Sequence, residues 1–181
     1  MSYQTGVGQR TAVVTGAASP RGIGFATAAR YAQEGWAVAL LDIDEQGIKT
    51  AEQRLQEQWD APSIGVGVDV TDHDSVQRSA NEIGESDLPP VGALANIAGL
   101  ASPVPFLEVD LALWHKVIDV NLTGTFLMCH AYLPQMIENG YGRIVNMSSV
   151  SAQQGGGVFS KTPYSAAKAG ILGLTRSLAR E

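Results

Sequence analysis

Tyr164 and Lys168 stand four residues apart in the stretch Tyr164-Ser165-Ala166-Ala167-Lys168. On a helix that spacing puts both side chains on one face, one turn apart. The surroundings favour a helix. Residues 165–173 are rich in alanine, isoleucine and leucine, and Pro163 stands where a helix start tolerates proline. A phenol beside an ammonium is a chemical device. The nearby positive charge favours the phenolate, and such a group can exchange a proton with an alcohol or a carbonyl oxygen near neutral pH. Alone, Y-x-x-x-K is also a common chance pattern on a solvated helix, so the rest of the chain decides.

A second candidate lies near the start. An apolar run, Thr11-Ala12-Val13-Val14-Thr15, leads into Gly16-Ala17-Ala18-Ser19-Pro20-Arg21-Gly22-Ile23-Gly24 and then a helical pattern. Glycines there let the backbone turn tightly and approach a pyrophosphate, which a helix N-terminus attracts. Glycine-rich loops serve many functions; the placement between a first strand and a helix gives this one weight. Asp42 closes the second apolar run, 18 residues after Gly24. A carboxylate at that point can hydrogen-bond the ribose diol of NAD and would repel the 2′-phosphate of NADP. Arg21 argues the other way, since a basic loop residue could contact that phosphate. Asp42 outweighs it, and the reading favours NAD over NADP. Asp44 is the better helix-capping aspartate.

The elements that must hold these residues follow from periodicity. Buried strands are predicted at 11–15, 36–41, 63–70, 91–96 and 143–147, and helices at 23–34, 44–59, 72–85, 110–139 (with Pro134 as a point of bending) and 163–181. Thr71 or Asp72 is the expected cap of the third helix. Near-continuous apolar strands alternating with helices predict an α/β fold, a parallel sheet covered on both faces. Ligands then bind outside the carboxyl ends of the strands. Residues 10–181 read as a single domain after a short polar tail, 1–9.

Composition narrows the partners. Hydrophobic residues make up 45% of the 181, net charge is −6, and no Lys/Arg-rich run exists, so neither nucleic acid nor an anionic membrane is expected. Cys129 is the only cysteine, so no intramolecular disulfide can form. It lies in an apolar helical stretch and reads as packed rather than reactive. His73, His115 and His130 share no metal-ligand spacing, and no metal is expected. No apolar run approaches membrane-spanning length. The expectation is a soluble cytoplasmic protein.

The ordered set of motifs resembles the short-chain dehydrogenase/reductase family, a Rossmann-type group of nicotinamide-dependent oxidoreductases. The matching residues are the T-G…G-I-G loop, Asp42, Asp69-Val70, Asn96-Ile97-Ala98-Gly99, Val120-Asn121, Asn146-Met147-Ser148-Ser149, and Tyr164 with Lys168. By this resemblance, Gly16, Ser19, Arg21, Gly22, Ile23 and Gly24 form the cofactor loop, and Asp69 and Val70 contact the adenine. Asn96 steadies the central sheet, while Ala98 and Gly99 leave room for the cofactor ribose. Asn121, Ser149, Tyr164 and Lys168 form the catalytic set. Tyr164 is the expected general acid/base in interconverting a secondary alcohol and a ketone. Lys168 holds the nicotinamide ribose, Ser149 orients the substrate oxygen, and Asn121 helps hold a water beside the lysine. A homodimer or homotetramer is also implied.

Three departures from the family pattern stand out. The glycine loop has five residues between Gly16 and Gly22 where the family usually has three; Ser19-Pro20 looks like the addition and is expected to bulge away from the phosphates. The strand-end motif selects Ser149 as catalytic serine, whereas spacing back from Tyr164 selects Ser151; the glycine-rich stretch Gly155-Gly156-Gly157 can absorb the extra residues. Finally, the sequence stops at Glu181, where the family continues with a sixth strand and a substrate-covering segment. The expectation is a truncated chain or one completed otherwise, with an open sheet edge. A nucleotide-binding module with little or no catalysis is the alternative reading, and a partner subunit for a longer relative is a third.

Overall fold

The computed structural model describes residues 9–181. The predicted tail therefore lies outside the described residues except for Gln9. Five strands, β1 (Thr11–Thr15), β2 (Ala37–Asp42), β3 (Ser63–Gly67), β4 (Val91–Asn96) and β5 (Arg143–Asn146), form one sheet in the order β3-β2-β1-β4-β5. Every pairing is parallel. β1 pairs with β2 on one side and β4 on the other. The strand order reverses there, and a crevice opens at the strands' carboxyl ends.

The helices are α1 (Ile23–Gln33), α2 (Glu45–Trp59), α3 (His73–Glu85), α4 (Leu111–Ile118), α5 (Gly124–Glu138), α6 (Ser151–Gln154) and α7 (Thr162–Leu178). Two apolar clusters lie on the two faces of the sheet. One packs β1, β2 and β4 against α1 and α2, through Val14, Leu40, Phe25 and Ile48. The other packs the sheet against α3 and α5, through Val13, Leu94, Val76 and Met128. β1 and β4 are buried along their whole length because both faces are covered. Asp44, Asp72 and Asp110 cap α2, α3 and α4, each accepting a backbone N–H three residues on. Asp72, not Thr71, is thus the cap of α3.

Some boundaries differ from the periodicity. β3 ends at Gly67 rather than 70, since residues beyond it leave the ladder with β2; Val68 N still donates to Asp42 O at 2.8 Å. The predicted helix over 110–139 is interrupted not at Pro134, which lies within α5, but by a wide π turn over Asp119–Thr123. The Asn121 side chain donates to Val117 O at 2.8 Å, and the Thr125 hydroxyl donates to Asn121 O at 2.8 Å. Side chains inserted in this way widen a helical turn. The short α6 and a 3-10 turn at Phe106–Glu108 were not foreseen.

Candidate active site

A cleft of about 500 Å³ runs along the carboxyl ends of β1 to β4. Among the predicted cofactor residues, Gly16, Ile23, Gly24, Asp42, Asp69, Val70, Ala98 and Gly99 line it. Ser19, Arg21 and Gly22 belong to the loop but not to the cleft wall. Asn96 lies beneath, 4% exposed. Leu41, Ile43, Val68, Ile97, Leu100, Lys116 and Val120 complete the lining; sequence reasoning gave none of them a site role, although Ile97 and Val120 stand within motifs it named. These lining residues lie at or just beyond strand ends, on α4 or in the π turn after it, and only the closed fold brings them together. A separate groove of about 570 Å³ follows the outer face of α1, past Arg30, Tyr31 and Trp36, and shares only Ile23 with the predicted set.

Close backbone approach shapes the loop. Gly16 sits at φ 67°, in the left-handed region that favours glycine, and a Cβ there would lie 3.0 Å from the Ala98 backbone. A Cβ on Gly24 would lie 2.1 Å from Gly16 O, so α1 can start against the β1 turn only with glycine at 24. The Thr15 hydroxyl accepts both Ile97 N (2.9 Å) and Ala98 N (3.0 Å), which locks the ends of β1 and β4 together. The Asp42 carboxylate accepts Ala18 N at 3.0 Å and Asp44 N at 3.1 Å. It is thereby fixed at the rim of the cleft and retains lone pairs for a diol. These features fit a dinucleotide: glycine backbone at a helix N-terminus for the pyrophosphate and a fixed carboxylate at the second strand's end.

None of Tyr164, Lys168, Asn121 and Ser149 lines this cleft; Lys168 and Asn121 stand behind Gly99, which does. The Lys168 Nζ lies 5.5 Å from the Tyr164 ring centre. It donates to Met147 O at 2.6 Å. Lys168 is 2% exposed, and burial lowers its pKa to about 8. A Cβ on Gly99 would stand 2.9 Å from Asn121 Oδ1 and 3.6 Å from Lys168 Nζ, so Gly99 links the cleft to these two side chains. Asn121 is fully buried and also donates to Leu100 O at 2.8 Å. Ser149 is partly exposed just past β5, and its hydroxyl accepts Ser151 N at 3.1 Å. Ser151 opens α6, and its hydroxyl pairs with that of Ser160 at 3.0 Å.

A chain of side-chain hydrogen bonds sets the tyrosine helix against the sheet. Asn96 donates to Asn146 Oδ1 at 2.8 Å, Asn146 donates to Thr175 Oγ1 at 3.0 Å, and Thr175 donates to Ile171 O at 2.8 Å. Ser148 adds a bond to Lys168 O at 2.8 Å. Thr175 was missed from sequence, although it stands seven residues beyond Lys168, on the same helical face. Cys129 lies against the Asn96 and Asn146 amides, and burial pushes its thiol up to about 11. Among the described residues, no group of three or more His, Cys, Asp or Glu could hold a metal ion, and no helix is long and apolar enough to cross a membrane.

The fold is Rossmann-type, and the chain belongs to the short chain dehydrogenase family, whose profile matches residues 10–181. It is 44% identical over 172 residues to an uncharacterized short-chain type dehydrogenase/reductase of Sinorhizobium fredii, covering 95% of this chain and 68% of that protein. It is 39% identical over 173 residues to the NAD(+)-dependent 2-dehydro-3-deoxy-L-rhamnonate dehydrogenase of a Sphingomonas species, covering 95% of this chain and 66% of the relative. Among solved structures, a tryptophan variant of actinorhodin polyketide ketoreductase with NADPH superposes with a TM-score of 0.86 at 34% identity, covering 94% of this chain and 64% of that one. The chain thus spans about two thirds of the length of the relatives it matches.

Proposed function

We propose that this chain interconverts a secondary alcohol and a ketone with NAD as cofactor and Tyr164 as general acid/base. The observation that carries the reading is the buried Lys168 ammonium, held by Met147 O one helical turn from Tyr164 and beside Asn121 and Gly99. The nicotinamide cofactor, when bound, accepts or supplies the hydride. Ile23 and Gly24 at the start of α1 would hold its pyrophosphate, and Asp42 would hold its adenosine ribose. In oxidation, the substrate hydroxyl passes its proton to the Tyr164 oxygen as the C–H electron pair leaves as hydride. In reduction, Tyr164 protonates the developing alkoxide. Lys168 sets its ammonium beside the Tyr164 ring, 5.5 Å from its centre. Asn121 holds the adjoining backbone at Leu100 and fixes the wall beside the lysine.

Ser149 is the proposed substrate-orienting serine. Its hydroxyl is partly exposed at a strand end, whereas that of Ser151 is buried and committed to Ser160. Asp42 supports NAD over NADP, and the names of a NAD(+)-dependent and an NADPH-bound relative show that both cofactors occur among similar proteins. Exposed Phe126 (47%) and Ile137 (70%) on α5 support the expected homodimer or homotetramer.

The test is turnover of a panel of alcohols and ketones with NAD and NADP, with calorimetry of both nucleotides. Turnover that is lost in Tyr164→Phe while binding persists supports the mechanism; unchanged turnover in that variant overturns it. Binding with no turnover on any substrate supports instead the nucleotide-binding module.

A further inference from the structure

We infer that Arg54 is a positioning residue for the nucleotide loop: it draws the Ser19-Pro20 segment onto α2 and so keeps the pyrophosphate seat at residues 23–24 clear. The inference rests on the reading of that loop as a nucleotide site. Arg54 projects from α2 and is half-buried. Its guanidinium lies 4.7 Å from the centre of the Phe25 ring, on α1, and its Nη1 donates to Pro20 O at 3.5 Å. One side chain therefore ties together α2, α1 and the loop between β1 and α1.

The rest of the loop explains why such a tie is useful. Ala17 N donates to Leu41 O at 3.2 Å and Ala18 N to Asp42 Oδ2 at 3.0 Å, so the entry is anchored to β2. Gly22 N donates to Ser19 O at 2.9 Å, which closes a tight turn before α1. Three loop amides are thus committed to the protein. The first-turn amides of α1 have no intrahelical acceptor, and two of their residues, Ile23 and Gly24, line the cleft. Between the anchors, Ser19 and Pro20 are exposed and stay out of the cleft wall. They are held on the α2 side by the Arg54–Pro20 bond. Without it, the segment gains conformations that must be ordered again when a pyrophosphate binds.

The test measures NAD affinity of the purified chain by calorimetry in four forms: wild type, Arg54→Met, a deletion of Ser19 and Pro20, and the deletion combined with Arg54→Met. Arg54→Met is expected to weaken NAD about tenfold in the wild-type loop and less than about twofold in the shortened loop. Thermal stability falls in both backgrounds, because the Phe25 stack is lost in both, and somewhat more in the wild-type loop, where the Pro20 bond is lost as well. Equal weakening of NAD in both backgrounds, or none in the wild-type loop, overturns the inference and leaves Arg54 a packing residue. If the shortened loop does not fold, Arg54→Lys decides. A lysine can still donate to Pro20 O, so recovery of half the lost affinity or more supports the role, and no recovery overturns it. A wild-type chain that binds neither NAD nor NADP removes the nucleotide reading itself, and this inference with it.

Discussion

The two sides of the β1/β4 crevice are built on opposite principles. On the β1–β2 side, the strands are buried almost without interruption, and the site is made mostly of backbone and missing Cβ atoms, with the Thr15 hydroxyl and the Asp42 carboxylate as its side-chain groups. On the β4–β5 side, the edge strand β5 is only partly covered, with Val145 half-exposed. There the site is made of named side-chain atoms: Asn96 on Asn146, Asn146 on Thr175, Lys168 on Met147 O, Asn121 on Leu100 O and Val117 O. The first side is specified by space, the second by donors and acceptors. Substitutions should therefore fail differently, sterically on one side and chemically on the other.

The largest effect is expected at Tyr164. Tyr164→Phe removes one oxygen and little volume, so turnover should fall by about 10²–10⁴, while NAD affinity and melting temperature stay near wild type. A matching loss of NAD affinity would break the division between the sides. Next is Gly24→Ala, which places a methyl 2.1 Å from the Gly16 carbonyl oxygen. Backbone atoms on both sides must shift, at a cost of about 1–3 kcal/mol, and nucleotide affinity and stability should fall together. An unchanged melting temperature in that variant would show that the β1 turn is looser than its geometry. Smaller again is Asp42→Asn, which keeps one acceptor for the backbone amides and removes the charge. The ratio of NADP to NAD affinity should rise about tenfold, measured with both nucleotides on one preparation. A constant ratio would take Asp42 out of cofactor choice.

What was legible in the sequence follows the same division. The central strands could be read because a sheet covered on both faces needs unbroken apolar runs; β5 was also read as a buried strand, but as an edge strand it is only partly covered. The glycine loop and Asp42 were readable because φ above zero and close approach restrict residue type. Tyr164 and Lys168 were readable as a spacing. The supports of the second side were mostly hidden. Met147 acts through a carbonyl that every residue has, Leu100 likewise, and Thr175 is an ordinary helix residue until Asn146 is placed beside it. Lys116 reaches the cleft only because the π turn and α4 set it there. The π turn itself escaped because the apolar period continues across it, and only the Asn121 and Thr125 hydrogen bonds mark it.

The smallest predicted effect tests whether the chemical side carries a cost in stability. Burial lowers the Lys168 pKa to about 8, from 10.5 for an ordinary lysine. Below about pH 8 the amine is protonated in both folded and unfolded chains, so the cost of burying the charge is fully present and constant. As pH rises toward the ordinary lysine value, the folded chain releases its proton while the unfolded chain keeps it. Folding stability therefore increases with pH through this window. Lys168→Met keeps most of the apolar stem, one atom shorter, and removes the titration. The wild type should thus gain on the variant by roughly 1–3 kcal/mol between neutral pH and the ordinary lysine range, read from denaturant midpoints at each pH. At neutral pH the variant should be no less stable than the wild type, because a desolvated charge is lost along with one hydrogen bond. A pH-independent difference would mean that Lys168 is better solvated than its 2% exposure implies, and that the second side is held together at no more cost than the first.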